Sequence, residues 1–414
     1  MFKNYLITAY KVLLRRKFFS FVNLFGIALT LAVLTVVVAL LDSYLFPSSA
    51  EKNSGRFLEV SRLMLESEDR DSSWSSSPGY RFMQDYVRPM QTPTLISVYN
   101  EGSSANSFVD GQKYELTMKR TDGNYWKILQ FDFIEGNALT DEDDELGPYV
   151  AVINQSTRRK LFNDQSALGK DLTVNGQTFE VVGVVRDESE ISRHAFADVW
   201  VPVSTNPSTS YQQQMMDGFI ALLMAESSDQ LDAIRAEYRE RIDDFEYDDP
   251  EQFAYAIGGA DSKLDALARE VTNNWKHYDS GAGTFVTIVL VGMFLFMLLP
   301  TINMVNLNTS RILERASEIG VRKAFGASSA TLVWQFIVEN LVLTLVGGLL
   351  GFVLAYLLLD LVVASDLIKY ADLHMNGRVF LASLLLIGFF GVLSGAYPAW
   401  RMSRMQPVAA LKGA

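Results

Sequence analysis

The sequence contains no cysteine among its 414 residues. Its fold therefore depends neither on disulfide bonds nor on cysteine-ligated zinc, so packing must provide its stability. The chain has only three histidines, His194, His277 and His374, and they are far apart in sequence. Neither an HExxH nor a GxSxG motif occurs. We therefore expect no catalytic site, and we interpret each histidine as a surface or core residue with satisfied hydrogen bonds.

Signatures of metal and nucleotide binding are missing as well. The acidic run DEDDE (141–145) lacks the ligand spacing and the central glycine of an EF-hand, and we interpret it as a solvated loop. No GxxxxGK(S/T) loop occurs, because the nearest segment, SALGKDLT (166–173), lacks the first glycine. The sequence thus predicts neither a metal site nor a nucleotide site in this chain.

Negative charge is concentrated in one region. The net charge is −12, and residues 46–282 hold 41 of the 48 acidic residues but only 22 of the 36 basic ones, a local net charge of −19. The rest of the chain carries +7, with its basic residues beside apolar runs. A region so acidic repels a phosphate backbone, so nucleic acid is not an expected partner.

Four apolar runs are long enough to cross a membrane, which requires about 20 residues. They are 18–46, 284–306, 329–363 and 379–400. The first and last contain stretches of 18 residues without any charge, LFGIALTLAVLTVVVALL and FLASLLLIGFFGVLSGAY. Soluble core helices rarely show this composition, so we predict four membrane helices. The first run is too long for a cleaved signal peptide and should remain as an anchor.

The flanking charges predict the orientation of these helices. Basic residues are concentrated in 1–17, 307–328 and 401–414, which the positive-inside rule places in the cytoplasm. The acidic residues 47–281 and the short loop 364–378 are then outside. The sequence predicts a membrane protein with four crossings, both termini inside and one large domain outside.

Residues 1–17 carry an amphipathic pattern. Phe2, Leu6, Ala9 and Leu13 share one helical stripe beside basic residues. This pattern is typical of a helix that lies in the membrane interface. An inward extension of the first membrane helix is the alternative.

The outer region has the pattern of an α+β domain. Short strand-like runs alternate with polar turns, namely FLEVSRLM (57–64), YVAVI (149–153), FEVVGVV (179–185), DVWVPV (198–203) and FIALLMA (219–225). Helical periodicity occurs in 228–245 and 261–275. In LTVNGQTFEVVGVV the Asn-Gly pair lies between alternating strands, which favours a two-residue type I′ hairpin.

The segment 308–328, NTSRILERASEIGVRKAFGAS, connects the second and third apolar runs. As a helix it places Ile312, Ala316 and Ile319 on one side and charged residues on the other. Its charged face would then be free to bind a partner protein. An ordinary basic loop that only fixes the topology explains the same pattern.

Several segments resemble one known family. ERASEIGVRKAFGAS (314–328) is similar to the cytoplasmic signature of MacB/FtsX-type ABC permeases. Residues 124–143 and 150–187 resemble the periplasmic core domain of that family, and 397–413 resembles its C-terminal tail. These segments follow the family's order along nearly the whole chain.

The resemblance implies a function for the cytoplasmic loop. In such permeases this loop forms the coupling helix that contacts the ATPase. The residues to which it assigns this role are Glu314, Ser317, Glu318, Ile319, Gly320, Arg322, Lys323 and Gly326.

The resemblance also implies partners. We expect a dimer of permeases, with a second copy or a paralogue, bound to two cytoplasmic ABC ATPase subunits. The ATPase chains would bind ATP and Mg²⁺, and this chain would hold no cofactor. ATP-driven motion would then drive export or extraction of a periplasmic client, with or without a periplasmic adaptor. An FtsX-like scaffold or sensor that regulates an envelope protein or wall hydrolase is one alternative, and a membrane-tethered periplasmic enzyme is another.

Small residues recur within the predicted membrane helices. Gly347 with Gly351, and Gly391 with Gly395, have the small-xxx-small spacing that lets helix backbones approach closely in lipid. Gly26 and Thr30 in the first helix have the same spacing. These residues are predicted to pack the helices of one chain or to contact a second copy. Glu339 lies within the third run, and we expect it near the inner interface, where a charge costs less than at mid-membrane.

Overall fold

The computed structural model describes residues 17–47, 49–247, 251–314, 321, 325, 328–365, 367–373 and 375–403. The chain forms two compact units. The helical unit comprises Met1–Asp42, Thr287–Ser365 and Leu373–Ala414, and the outer domain comprises Ser43–Val286 and Asp366–Asp372. The predicted interfacial helix in 1–17 lies outside the described residues, apart from Lys17.

The first membrane helix, α1, spans Lys17–Leu45, and its most apolar part, Leu24–Leu45, is long enough to cross a bilayer. The outer domain follows it. Its strands are β1 (Phe57–Val60), β2 (Leu63–Glu66), β3 (Ser73–Ser76), β4 (Leu95–Asn100), β5 (Ser103–Val109), β6 (Gln112–Thr121), β7 (Phe133–Gly136), β8 (Val150–Asn154), β9 (Asp171–Val174), β10 (Gln177–Val185), β11 (Val199–Pro202), β12 (Phe219–Met224) and β13 (Tyr255–Gly258). Its α-helices of six or more residues are α2 (Gly123–Ile128), α3 (Asp141–Leu146), α4 (Gln155–Phe162), α5 (Leu231–Asp243) and α6 (Lys263–Thr272), and a shorter helical stretch covers Tyr80–Phe82 and Met83–Val87.

Three sheets organise the outer domain. The largest has seven strands in the order β5-β6-β11-β8-β10-β7, with β9 also paired to β10. It is mixed, because β10 runs parallel to β8 and β11 parallel to β6, while the other pairs are antiparallel. Two smaller antiparallel sheets have the orders β1-β12-β4 and β13-β2-β3.

The run FLEVSRLM forms two strands instead of one. The chain leaves β1 at Val60 and enters β2 at Leu63, so the two halves of the run belong to different sheets. The polar pair Ser61 and Arg62 separates them, and the Ser61 hydroxyl donates to the Glu59 carboxylate at 2.9 Å. Both strands are buried along their whole length.

The predicted hairpin is present between β9 and β10. Asn175 and Gly176 form a two-residue loop with φ angles of 49° and 80°. Positive φ at both positions is the requirement of a type I′ turn, which matches the twist of the flanking strands. The hairpin sets the register that buries Phe179 and Val181 on the core side.

Helix α5 carries the face that its periodicity predicts. Ile234, Tyr238 and Ile242 are buried, and Leu231 packs at the edge of the same core cluster. Their spacing of three or four residues places them on one side of the helix, so the polar side chains between them face solvent.

The acidic run 141–145 is a helix, and its interpretation as a solvated loop was wrong. It forms α3, whose first turn holds four carboxylates. The Thr140 hydroxyl accepts from the Asp143 backbone N–H at 3.2 Å, and the Asp143 carboxylate accepts in return from the Thr140 N–H at 2.8 Å. This capping box and the helix dipole both favour carboxylates in the first turn.

The remaining membrane helices are α7 (Ala282–Glu314), α8 (Ser329–Ala364) and α9 (Gly377–Ser403). Among the described residues, four helices including α1 are long and apolar enough to span a membrane. The α8 span begins at Asn340, so Glu339 directly precedes it, although its side chain is outside the described part of the chain. The predicted class, four membrane helices with an α+β domain between the first and second, is confirmed.

Candidate functional site

Two linkers connect the membrane helices to the sheets of the outer domain. Residues 46–56 lead from α1 to β1, and residues 259–281 lead from β13 through α6 to α7. Buried charged groups join these linkers, and we call Glu51, Glu59, Asp261, Lys263 and Arg269 the linker cluster. All five belong to the outer domain, as do the last residues of α1 and the first residues of α7.

Glu51 and Lys263 form a buried ion pair between the two linkers. Glu51 is fully buried, and one of its oxygens also accepts from the Ala195 backbone N–H at 2.8 Å. Burial acts to raise the pKa of Glu51, but the Lys263 ammonium and the hydrogen bonds outweigh burial and hold this pKa below its usual value. Lys263 also donates to the Tyr44 carbonyl oxygen at 3.2 Å, in the last turn of α1. The Lys263 ammonium thus connects the linker that leads to α7 both to the end of α1 and to the linker that leads to β1.

A second connection joins β1 to the linker before α7. The backbones of Glu59 and Asp261 exchange two hydrogen bonds of 2.8 Å. The Asp261 carboxylate accepts from Arg269 Nε at 2.8 Å. Burial raises the pKa of Asp261 to about 6, because desolvation outweighs the attraction of the guanidinium.

Arg269 organises the segment that enters α7. Its guanidinium donates to the carbonyl oxygens of Asn274 at 2.9 Å, His277 at 2.7 Å and Tyr278 at 2.7 Å. The side chain is 2% exposed. Because its donors are fixed in one plane, these bonds hold residues 274–278 against α6.

His194 connects β1 to the interior of the domain. Its Nε2 lies 2.6 Å from a Glu59 carboxylate oxygen, and its Nδ1 lies 2.7 Å from the Tyr99 hydroxyl. The ring is buried, as the interpretation of a core histidine requires. His277 is exposed, and His374 is outside the described residues. The neighbouring Lys119 donates to the Arg193 and His194 carbonyl oxygens, and burial lowers its pKa to about 7.

The structure also places the predicted glycine pairs of the membrane helices. A β-carbon added to Gly347 would lie 2.8 Å from Ile27 Cγ2, and one added to Gly351 would lie 2.7 Å from the Ala28 carbonyl oxygen. These glycines therefore let α8 pack closely on α1. Gly26 has no neighbour within 4 Å of an added β-carbon among the described residues.

The second glycine pair lies between α8 and α9. An added β-carbon at Gly391 would be 3.0 Å from Leu341 Cδ1, and one at Gly395 would be 3.2 Å from Asn340 Nδ2. Thr30 of α1 is buried. These contacts join helices of one chain, so they support packing within the bundle. Contact with a second copy stays a prediction.

Sequence reasoning missed the polar contacts of the helical unit. Asp42, near the end of α1, pairs with Arg378 at 2.6 Å and also accepts from the Asn376 side chain. Thr35 and Ser383 share a hydrogen bond of 3.2 Å between α1 and α9. A carboxylate beside the apolar end of a membrane helix is the signal that a polar partner is needed there.

The predicted coupling residues fall mostly outside the described residues. Glu314 is the last residue of α7, and its side chain is not described. Ser317, Glu318, Ile319, Gly320, Arg322, Lys323 and Gly326 lie outside the described part of the chain. Phe325, within the same segment, is described and is 88% exposed.

Two family models match the chain. A MacB-like periplasmic core domain matches residues 20–241, and an FtsX-like permease C-terminal domain matches residues 290–407. The ABC transporter permease YknZ of Bacillus subtilis (strain 168) is 24% identical over 73% of this chain and 71% of its own length. The macrolide export ATP-binding/permease protein MacB of Escherichia coli (strain K12) is 26% identical over 70% of this chain but only 42% of its own length.

Solved structures of two such domains are also similar to part of the chain. The extracellular domain of the ABC-type transporter YknZ from Gram-positive bacteria covers 45% of the chain and 94% of its own length, at 18% identity and a TM-score of 0.35. The periplasmic region of MacB from Actinobacillus actinomycetemcomitans covers 52% of the chain and 93% of its own length, at 14% identity and a TM-score of 0.33.

Proposed function

This chain belongs to the family with a MacB-like periplasmic core domain, and on that premise we propose that it transmits ATP-driven motion from a separate cytoplasmic ATPase to its periplasmic domain. It is a multi-pass inner-membrane protein with the general role of an ABC transporter permease. In our proposal the motion drives export or extraction of a client on the periplasmic side.

The linker cluster is the observation that carries this proposal. Lys263 bonds to the last turn of α1 and to Glu51, and Arg269 holds the segment that enters α7. Leaving one charge of a buried pair without its partner costs about 3–5 kcal/mol. The two linkers therefore stay joined when α1 or α7 is displaced, and they move together. The Glu59–Asp261 backbone bonds carry that movement into the sheet of β1.

The proposed partners follow from the family. Two cytoplasmic ABC ATPase subunits bind ATP and Mg²⁺, and this chain contributes the coupling segment with Glu318, Gly320, Arg322 and Gly326. A second permease copy or a paralogue completes the membrane part.

Spin labels in the outer domain provide the test. Since the chain has no cysteine, Leu146→Cys and Val271→Cys, both at exposed positions, can be labelled without background. We expect the distance between the labels to change when the reconstituted complex with its ATPase passes from the nucleotide-free to the vanadate-trapped state. Glu318→Ala with Arg322→Ala should abolish this change while ATP hydrolysis and membrane insertion continue.

The linker cluster is tested in the same complex. The double variant Glu51→Gln with Lys263→Met removes both charges and leaves no unpaired ion, so the domain should still fold. It should reduce the nucleotide-dependent change in distance. Asp132→Asn with Arg186→Met, which removes both charges of an exposed ion pair in the same domain, is the matched control and should leave the change intact. The proposal would be contradicted if the distance between the spin labels still changed fully in the Glu318→Ala, Arg322→Ala variant and in the Glu51→Gln, Lys263→Met variant.

A further inference from the structure

An apolar pocket lies beside the β2–β3 hairpin of the outer domain. Its volume is about 230 Å³, and its lining includes Leu65, Trp74, Met216, Phe245 and Phe253. Trp74 is 61% exposed. An exposed tryptophan next to flexible methionine and buried aromatic side chains is typical of a surface that binds an apolar group.

The edge of β3 next to this pocket has backbone hydrogen-bonding groups that no described strand pairs with. β3 is the last strand of the order β13-β2-β3, and within the described residues no strand pairs with its outer side. The Ser67 N–H donates to the Ser72 carbonyl oxygen at 3.0 Å, so these two residues form a hydrogen-bonded pair at the turn. Hydrogen-bonded pairs recur at every second residue of an antiparallel ladder, so Trp74 and Ser76 also bond to β2 through their backbones. The alternation of an antiparallel ladder then points the N–H and C=O groups of Ser73 and Ser75 away from β2.

The pocket and the open edge are in register with each other. Trp74 is directly opposite Leu65 on β2, so both side chains lie on one face of the hairpin, and both line the pocket. A strand added along β3 would place every second side chain on this same face. One of those side chains would reach the pocket while its backbone pairs with Ser73 and Ser75.

The surroundings of the pocket are acidic. The hairpin turn next to β3 exposes three carboxylates, Glu68, Asp69 and Asp71, and one cation, Arg70. Asp244 and Glu246 are exposed on either side of the pocket residue Phe245. The carboxylates in the β2–β3 turn and those beside Phe245 attract a basic partner and repel an acidic one.

We propose that the outer edge of β3 binds an extended segment of a periplasmic protein by strand addition, with one aromatic or large aliphatic side chain in the pocket and lysine or arginine flanking it. The inference rests on the proposed function only in identifying that protein as a client or adaptor. Binding requires neither ATP nor the ATPase, so its failure would leave the coupling proposal standing.

The test uses the full-length chain in nanodiscs without nucleotide. The probe is a fluorescein-labelled peptide, Lys-Thr-Phe-Thr-Lys, followed by fluorescence anisotropy. We expect saturable binding that Trp74→Ala weakens by about tenfold, since the aromatic wall of the pocket is lost. Phe108→Ala is the matched control, because Phe108 is 66% exposed on another edge strand, β5, and its loss should change the affinity less than about twofold.

A backbone test separates strand addition from simple apolar contact. Ser75→Pro removes an outward N–H without breaking the β2–β3 ladder, because proline is tolerated on the open side of an edge strand. It should weaken binding by about tenfold, whereas Ser75→Ala should not. A peptide methylated on its backbone nitrogens should also bind weakly to the unaltered protein. Equal binding of the methylated peptide, equal binding of a Glu-Thr-Phe-Thr-Glu peptide, or no saturable binding at millimolar concentration would overturn the proposal.

Discussion

Glu188 is a buried carboxyl group whose charge state differs between the folded and unfolded chain. One of its oxygens accepts from the Ala50 N–H at 3.3 Å, just after α1, and the residue is 4% exposed. Burial raises its pKa from about 4.5 to about 7. Between these two values the folded protein keeps a proton that the unfolded chain has released. The free energy of unfolding therefore falls as the pH rises through this window, by roughly 3 kcal/mol in total.

Glu188→Gln should remove this pH dependence. The glutamine variant is expected to be more stable than the unaltered protein at pH 7.5 and similar to it at pH 4, because below about 4.5 the carboxyl is mostly protonated in both the folded and the unfolded chain. Thermal unfolding of the outer domain, followed by tryptophan fluorescence at the two pH values, measures the difference. A stability difference of the same size at both pH values would show that Glu188 does not titrate as described.

The linker cluster illustrates what sequence cannot reveal at the residue scale. Glu51 lies in the polar segment SSAEKNSGR, and its partner Lys263 is more than 200 positions away. No local pattern connects them, since only the tertiary fold brings them together. Lys263 carried a weak signal, because a cation in the first turn of a helix opposes the helix dipole and needs another reason to be there.

At the scale of elements, sequence patterns predicted the structures that depend only on residues close together in the chain. The Asn175–Gly176 hairpin and the buried face of α5 follow from backbone preference and periodicity. Helix α3 was missed because composition was weighed instead of its cap, although Thr140 and Asp143 have the capping-box spacing. The strand order of the mixed sheet depends on contacts between distant segments, and no pattern in the sequence determines it.

Helix packing provides a prediction at this scale. Gly351→Ala adds a β-carbon that would lie 2.7 Å from the Ala28 carbonyl oxygen. Although alanine has the higher helix propensity, α8 has to move away from α1, and we expect a destabilisation of about 1–3 kcal/mol. Thermal stability in detergent measures it.

Gly26→Ala is the matched control within the same helix pair. An added β-carbon at Gly26 meets no atom within 4 Å in the described residues. The monomer should therefore keep its stability. Loss of dimer in this variant would instead assign Gly26 to the contact between two copies. Equal stability of the Gly351 and Gly26 variants would contradict the close packing of α8 on α1.

At the scale of the whole molecule, charge and hydropathy determine the layout. The net charge of −19 in 46–282 and the basic residues beside the apolar runs come directly from composition. In the hydrocarbon core of a membrane, backbone groups must find hydrogen-bond partners within the protein, and an α-helix provides them within a single segment. Each of the four apolar runs accordingly forms a helix long enough to cross a membrane. The helical unit and the domain class could therefore be predicted from sequence, whereas the buried charges that join the linkers could not.

The orientation of the chain can be tested through single cysteines at two exposed positions. Leu146 is 75% exposed in the outer domain, and Phe325 is 88% exposed in the basic segment between α7 and α8. The positive-inside rule places the basic segment in the cytoplasm, so the acidic domain must be on the other side of the membrane. A membrane-impermeant maleimide should therefore label Leu146→Cys in intact spheroplasts and Phe325→Cys only after permeabilisation. Labelling of Phe325→Cys in intact spheroplasts would reverse the topology and would place the coupling segment out of reach of any cytoplasmic ATPase.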